Sequence, residues 1–324
     1  MPQMNMVSAI NDALRHEMSA DDRVVVLGED VGKLGGVFRV TAGLQKEFGS
    51  DRVIDTPLSE TGIVGTAIGM ALNGLRPVPE IQFADFIYPA VDQLINEAAK
   101  YRYRSAGEYP CPMVVRVPVG GGVKGGHYHS QSPESIFVHS AGLKVVCPSN
   151  PYDAKGLLLA SIRDNDPVLF MEPKRVYRAS KADVPEGEYL LPIGQAKIVR
   201  EGAQVTVLAW SAMVHTALEA AQKGAELGYD LEVIDLRTLV PFDIDTILAS
   251  VQKTGRVVVA HEAPRTSGFG AELAATIQEK AMLHLEAPIL RVTGFDTPFP
   301  YTLEHEYLPD ANRILDAVER VVNF

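Results

Sequence analysis

Ile54-Asp55-Thr56-Pro57-Leu58-Ser59-Glu60-Thr61-Gly62 joins two kinds of local order. Arg52 to Asp55 reads as an extended run that meets a proline turn, and a helix is expected from Gly62 towards Leu72. A strand feeding directly into a helix is the building unit of a parallel sheet. The helix is too apolar and too rich in Gly and Ala to face water, so it is expected to be buried. Glu60 is the single carboxylate carried to its start. The helix dipole favours such an acid by about 0.3–1 kcal/mol, which alone would explain it. A lone acid entering a buried helix is also what holds a basic heterocycle out of solvent.

Working outward, the same alternation repeats on both sides. Val24–Gly28, Val53–Asp55, Val78–Phe83, Met113–Val117, Leu143–Cys147 and Pro167–Met171 are short, rich in Val and Ile, and bounded by Gly, Pro or Asp. Helical patterns lie between them at Val40–Phe48, Gly62–Asn73, Pro89–Arg104 and Ala154–Ile162. Near-continuous apolar strands separated by helices predict a parallel sheet covered on both faces. From Glu172 to about Gly202 prolines and charges break the pattern, which reads as a linker draped over the surface. Alternation resumes with Gln204–Trp210 and ends in a helix over Ala311–Val322. The expected fold is α/β with two parallel-sheet domains, at 1–180 and 204–324, joined by a linker at 181–203.

Composition bounds the possibilities. A chain of 324 residues suggests about two domains, and 46% hydrophobic with 22% charged residues is ordinary globular material. A net charge of −11 argues against nucleic acid and anionic membrane surfaces, though not against a basic partner protein. Cys111 and Cys147, the only cysteines, are expected to pack as small apolar residues rather than as a disulfide. Met1 to Leu14 lacks a basic region followed by an apolar core, and no run approaches 18 apolar residues. A cytoplasmic enzyme fits all of this.

Three clusters could carry chemistry, all before the linker. Glu29 lies in Gly28-Glu29-Asp30-Val31-Gly32, directly after the first strand, where open parallel sheets bind ligands; G-x-G-x-x-G is absent there. Glu80-Ile81-Gln82-Phe83-Ala84-Asp85-Phe86 sets an amide beside two rings, and such rings can stack on a heteroaromatic partner for about 0.5–1.5 kcal/mol beyond area burial. They could equally be core phenylalanines, with Asp85 capping a helix near Tyr88. The third cluster, Val119 to Ser132, holds five glycines among Gly120 to Gly126 and then His127 and His129. Its glycines allow close backbone approach and loop motion. It lacks the G-x-x-x-x-G-K-[ST] order of a phosphate loop, and a metal site on His127, His129 and His139 has no cysteine or carboxylate at ligand spacing. A histidine on a mobile loop that moves a proton near neutral pH fits best.

Together LGEDVG, DTPLSETGIVGTAIGMALNG, EIQFADF, GGGVKGGHYHSQSPE, VIDLRTLVPFD and HEAPRTSGFGAEL resemble the β subunit of the thiamine diphosphate-dependent 2-oxo acid dehydrogenases, across essentially the whole chain. The branched-chain members are the nearest through YHSQSPE, HEAP and FDTPFP, while VPEGEYLLPIGQA and SVQKTGRV suit bacterial pyruvate enzymes equally. The resemblance implies a transketolase-like pyrimidine-binding domain followed by a transketolase carboxyl-terminal-like domain. It implies oxidative decarboxylation of branched-chain 2-oxo acids with acyl transfer to a lipoyl group. Glu60 would hydrogen-bond the aminopyrimidine ring nitrogen, its carboxyl pKa raised by burial. Leu58 and Ser59 would support the cofactor, and Glu29 and Gln82 would line its pocket. Phe86 would stack on the aminopyrimidine where many relatives carry tyrosine, and Phe83, Phe86 and His129 would face the substrate. His129 would manage protons during acyl transfer, with His127 the weaker candidate.

No Gly-Asp-Gly occurs anywhere in the chain, so it carries no recognisable diphosphate and magnesium site. The resemblance therefore implies an α subunit that shares the thiamine diphosphate and binds most of the magnesium. It further implies two α and two β chains, docked on a lipoyl acyltransferase core through the carboxyl-terminal domain. That domain's one dense polar cluster is His261-Glu262-Ala263-Pro264-Arg265, where His261 could be a satisfied strand-end histidine. The rivals are a pyruvate or acetoin dehydrogenase β subunit, a nucleotide-binding module without catalysis, and a structural partner that only orders an active α subunit.

Overall fold

In a computed structural model the chain is described from residue 2 to residue 324. Its first sheet has seven strands in the order Thr238–Val240, Lys144–Val146, Val168–Pro173, Val114–Val119, Arg76–Glu80, Val24–Gly28 and Val53–Asp55. Six run parallel, and Thr238–Val240 pairs antiparallel at the edge. The inner strands are buried almost throughout because helices cover both faces, leaving no solvent side to alternate towards. A second sheet follows the order Leu290–Gly294, Val257–Pro264, Val205–Ala209, Leu231–Asp235 and Lys197–Arg200, parallel except for the last. The architecture is α/β with two parallel-rich sheets. The largest buried cluster runs from Leu27 and Val117 through Trp210 to Leu273, so one continuous core crosses between the sheets.

Several helices differ from the sequence expectation. Val40–Phe48 shortens to Leu44–Phe48, because Gly43 stands at φ +84° and interrupts the turn before it. Pro89–Arg104 is no single helix: 3-10 turns at Tyr88–Ala90 and Ala98–Lys100 flank a wider turn at Gln93–Glu97, before Tyr101–Arg104. The stretch read as a linker contains two strands. Lys181–Asp183 pairs with Gln3–Asn5, and Lys197–Arg200 joins the second sheet. The helix Met6–Ala20, which the alternation did not contain, packs against Pro151–Arg163.

Elements that begin with a polar cap follow their sequence closely. Asn150 accepts the Asp153 N–H ahead of Pro151–Arg163, and Asp310 accepts the Arg313 N–H ahead of Ala311–Val322. Such side chains replace helix bonds that the first turn cannot make. Cys111 and Cys147 are buried free thiols, as expected of small apolar packers. No described helix is long and apolar enough to cross a membrane.

Candidate active site

Four adjacent strands of the first sheet end on one edge, and the loop after each carries chemistry. Gly28 stands in register with Asp55 on one side and Glu80 on the other, and Val114–Val119 lies beside Arg76–Glu80. Their loops carry Glu29, then Leu58 to Glu60, then Gln82 to Phe86, then residues 120–131. Ligands gather at such edges because successive loops diverge there and leave a cleft.

Asp55 shapes the first loop by accepting the Gly32 N–H at 2.6 Å. Gln82 Nε2 donates to Asp30 at 3.4 Å, tying the first loop to the third. Burial pushes the Glu29 carboxyl above the usual range, and the charges of Glu60 and Asp30 push it further. Ser59 caps the helix Glu60–Leu72 by accepting the Gly62 N–H at 3.3 Å, so its hydroxyl is engaged. Leu58 is 79% exposed, an apolar side chain offered to something outside this chain.

The rings assemble around His129. Phe83 meets it edge-on at 4.4 Å between centroids, and Phe86 does so at 5.5 Å. His129 is half-buried by this packing, whereas His127 is exposed and lies against Tyr128 at 3.9 Å. Gln131 joins the loop to its surroundings by accepting the Tyr88 hydroxyl at 2.6 Å and donating to the His127 carbonyl at 3.0 Å. Among the described residues no three His, Cys, Asp or Glu side chains converge as a metal site.

The sequence divides between two known families. The transketolase pyrimidine-binding domain matches residues 2–180, and the transketolase C-terminal domain matches residues 194–314. The 2-oxoisovalerate dehydrogenase β subunit of Pseudomonas aeruginosa is 54% identical, over 98% of this chain and 95% of that protein. The chain belongs to the β-subunit family of the thiamine diphosphate-dependent 2-oxo acid dehydrogenases. The mitochondrial 2-oxoisovalerate dehydrogenase β subunit of Dictyostelium discoideum is 53% identical over 99% of this chain and 87% of that one. The pyruvate dehydrogenase E1 component β subunit of Staphylococcus epidermidis is 51% identical over the whole of both. A solved split-gene transketolase, an inactive β4 tetramer, shares the fold at a TM-score of 0.81 and 21% identity, covering 99% of this chain and 98% of that one.

Within this β subunit four expectations are corrected. The helix Glu60–Leu72 is not enclosed: Thr61, Gly62, Gly65, Thr66 and Gly69 lie exposed along one face, and Glu60 itself is half-buried. The three glycines there make the face flat rather than hidden, while Ala67 and Ala71 face the core. Asp85 caps no helix and instead accepts the N–H groups of Ser130 and Gln131 at 3.2 and 3.3 Å. His261 is fully buried and stacked on Trp210, yet neither ring nitrogen has a partner among the described residues. Burial accordingly lowers its pKa to about 4, keeping it neutral.

The fourth correction concerns the glycines of the histidine loop. A Cβ on Gly120 would stand 2.6 Å from Glu262, one on Gly121 2.5 Å from Phe299, and one on Gly122 2.5 Å from Arg175. Gly120 and Gly121 let the loop dock closely on the second half of the chain, and Gly122 lets it dock on Arg175, so close packing accounts for these three. Glu262 and Phe299 are invisible from the loop's own sequence, because they arrive from the strand Val257–Pro264 and from the chain beyond Leu290–Gly294. Only the polar density of His261 to Arg265 hinted at such a contact.

Proposed function

We propose that this β subunit, with an α subunit, catalyses oxidative decarboxylation of branched-chain 2-oxo acids and transfers the acyl group to a lipoyl carrier. What carries the reading is the gathering of Glu29, Glu60, Gln82, Phe86 and His129 on one edge of four adjacent strands. A carboxylate beside aromatic rings suits an aminopyrimidine; no described cluster suits a diphosphate with its metal. Bound thiamine diphosphate would supply the electron sink for the carbon–carbon cleavage. The diphosphate and magnesium are assigned to the α subunit, across the cleft that Leu58 and the exposed face of Glu60–Leu72 leave open.

Each residue then has a task. Glu60 would hydrogen-bond the pyrimidine ring nitrogen, with Glu29, whose carboxyl is pushed up by burial and by the charges of Glu60 and Asp30, close to it. Leu58 and the Ser59 backbone shape the floor, Gln82 supplies an amide, and Phe86 offers an aromatic surface. Phe83 and Phe86 fix the His129 ring, which exchanges a proton during acyl transfer. The assembly is read as two α and two β chains on a lipoyl acyltransferase core. Two reduced buried thiols suit a cytoplasmic location.

The test is kcat/KM of the co-purified α and β chains, with thiamine diphosphate and magnesium, for 3-methyl-2-oxobutanoate against pyruvate. Preference for the branched acid is expected. Preference for pyruvate, the alternative that the relative 51% identical keeps open, would change the substrate and keep every residue's task. Turnover of neither would overturn the reading.

A further inference from the structure

Phe83 is a hub among the rings of the candidate site. Besides His129, which it meets edge-on at 4.4 Å, it meets Phe86 at 5.8 Å and Phe38 at 5.4 Å, with interplanar angles of 79° and 69°. The Lys174 nitrogen stands 5.6 Å from its centroid. Phe83 and Phe86 belong to the loop that follows Arg76–Glu80. Phe38 comes from elsewhere, the loop between Val24–Gly28 and Leu44–Phe48, which also carries Glu29. Carboxylates fasten the backbone of the histidine loop: Glu262 accepts the Gly121 N–H at 3.2 Å, and Glu304 accepts the Lys124 N–H at 3.0 Å. What meets the His129 ring itself is aromatic.

Phe38 is itself held in place. Its ring lies 5.2 Å from that of Tyr177, a buried residue whose hydroxyl donates to Glu172. Glu172 in turn accepts from Arg116 on the central strand Val114–Val119. Arg178 donates to the Phe38 carbonyl at 3.4 Å. Gly35 and Gly36, both at φ +78°, fold the loop back on itself. The Gly36 N–H donates to the Asp30 carbonyl at 2.7 Å, and the Thr41 N–H donates to the Gly35 carbonyl at 3.1 Å. A packed path therefore runs from the sheet through Tyr177, Phe38 and Phe83 to His129. Edge-on aromatic pairs are directional, and close-packed rings have little room to turn independently of one another.

We propose that Phe38 is a positioning residue for His129: it keeps Phe83 edge-on to the imidazole and so couples the loop carrying Glu29 to the loop carrying His129. Without the Phe38 ring a void opens beside Phe83, and a ring next to a void leans into it. The His129 ring then loses the edge that sets its orientation.

Two readouts on the co-purified complex of α and β chains test this. The first is independent of any reaction: the NMR signal of the His129 Cε1–H group, carbon-13 labelled and assigned by its absence in His129→Gln. Phe38→Ala is expected to shift and broaden that signal, because the ring current of Phe83 moves with the ring. Phe38→Tyr, which keeps the ring, should leave it in place. An unchanged signal in Phe38→Ala overturns the proposal. The second readout rests on the function proposed above and compares acylation of a lipoyl acceptor with decarboxylation read by an artificial electron acceptor. Phe38→Ala should lower acylation about tenfold further than decarboxylation, within the range that misplacing a reacting group costs, and Phe38→Tyr should recover it. Added to His129→Ala, it should lower acylation no further, since nothing is left for it to position. Losses that multiply overturn the proposal. If His129→Ala alone leaves acylation intact, the role proposed for His129 fails, and the NMR signal still decides whether Phe38 sets its ring. Should Phe38→Ala fail to fold, Phe38→Leu keeps apolar bulk without an aromatic edge and is read the same way.

Discussion

Glu29 and Glu60 come from different loops, yet Glu29 feels the charge of Glu60 after the larger effect of its own burial. Replacing Glu60 by Gln should therefore act twice. Turnover of the α and β complex should fall by about 10²–10⁴, the usual worth of a positioned proton-transfer group, with the circular dichroism unchanged. The Glu29 titration, followed by carbon-13 NMR, should also move to lower pH because a like charge has gone. Near-full activity would remove the role assigned to Glu60. Glu134 is the other informative acid: fully buried, it accepts the Trp210 indole N–H at 3.2 Å. Burial raises its pKa to about 7 from the ordinary 4.5. The folded state thus prefers the neutral carboxyl. That preference is fully felt below pH 4.5 and lost as pH rises through 7, a difference of about 3 kcal/mol. Glu134→Gln, which keeps the acceptor, should match the wild type in denaturant unfolding at pH 5 and exceed it at pH 8. Equal stability at both would show that Glu134 titrates normally.

At the scale of elements, the central strands are joined by charge as well as by their ladders. Arg116, on Val114–Val119, donates to Glu80 on one neighbouring strand at 2.6 Å and to Glu172 on the other at 2.7 and 2.9 Å. All three side chains are buried, and the Tyr177 hydroxyl also donates to Glu172. Glu80 is therefore spent on the sheet, although it begins a segment rich in candidate site residues. Arg116→Met would leave two buried carboxylates without a cation, a change expected to cost about 3–5 kcal/mol. Chemical denaturation of the β chain would show it, and a loss below 1 kcal/mol would mean that the carboxylates simply take up protons. Because Glu80 ends the strand that leads into Gln82 and Phe83, the triad also fixes where those residues emerge.

For the whole molecule, the second half of the chain completes the first in two ways. Thr238–Val240 pairs with Lys144–Val146 and closes that edge of the seven-stranded sheet. Glu262, Phe299 and Glu304 hold the base and tip of the histidine loop. A fragment ending at residue 180 would expose an unpaired edge together with core residues such as Val145 and Met171. It should aggregate when expressed alone, as read by light scattering. A monodisperse fragment with a native-like spectrum would show that the two halves are independent.

The loops of the candidate site were legible in sequence because each follows its strand within a few residues. Once Val24–Gly28, Val53–Asp55 and Arg76–Glu80 are strands of one parallel sheet, Glu29, Glu60 and Gln82 must emerge on the same edge. Local patterning likewise determined the capped helices and the apolar strands. It misjudged Pro89–Arg104 and the helix Glu60–Leu72, where composition fixes how apolar a face is but not what lies across from it. The partners of the histidine loop were beyond its reach. Gly121 and Glu262 are 141 residues apart, and Lys124 and Glu304 are 180 apart. Nothing in either segment names the other, and only the packing of the two sheets brings a carboxylate to each amide. Sequence alone determined which groups could act; tertiary structure decided what holds them, because a buried charge is defined by neighbours that the chain supplies from far away.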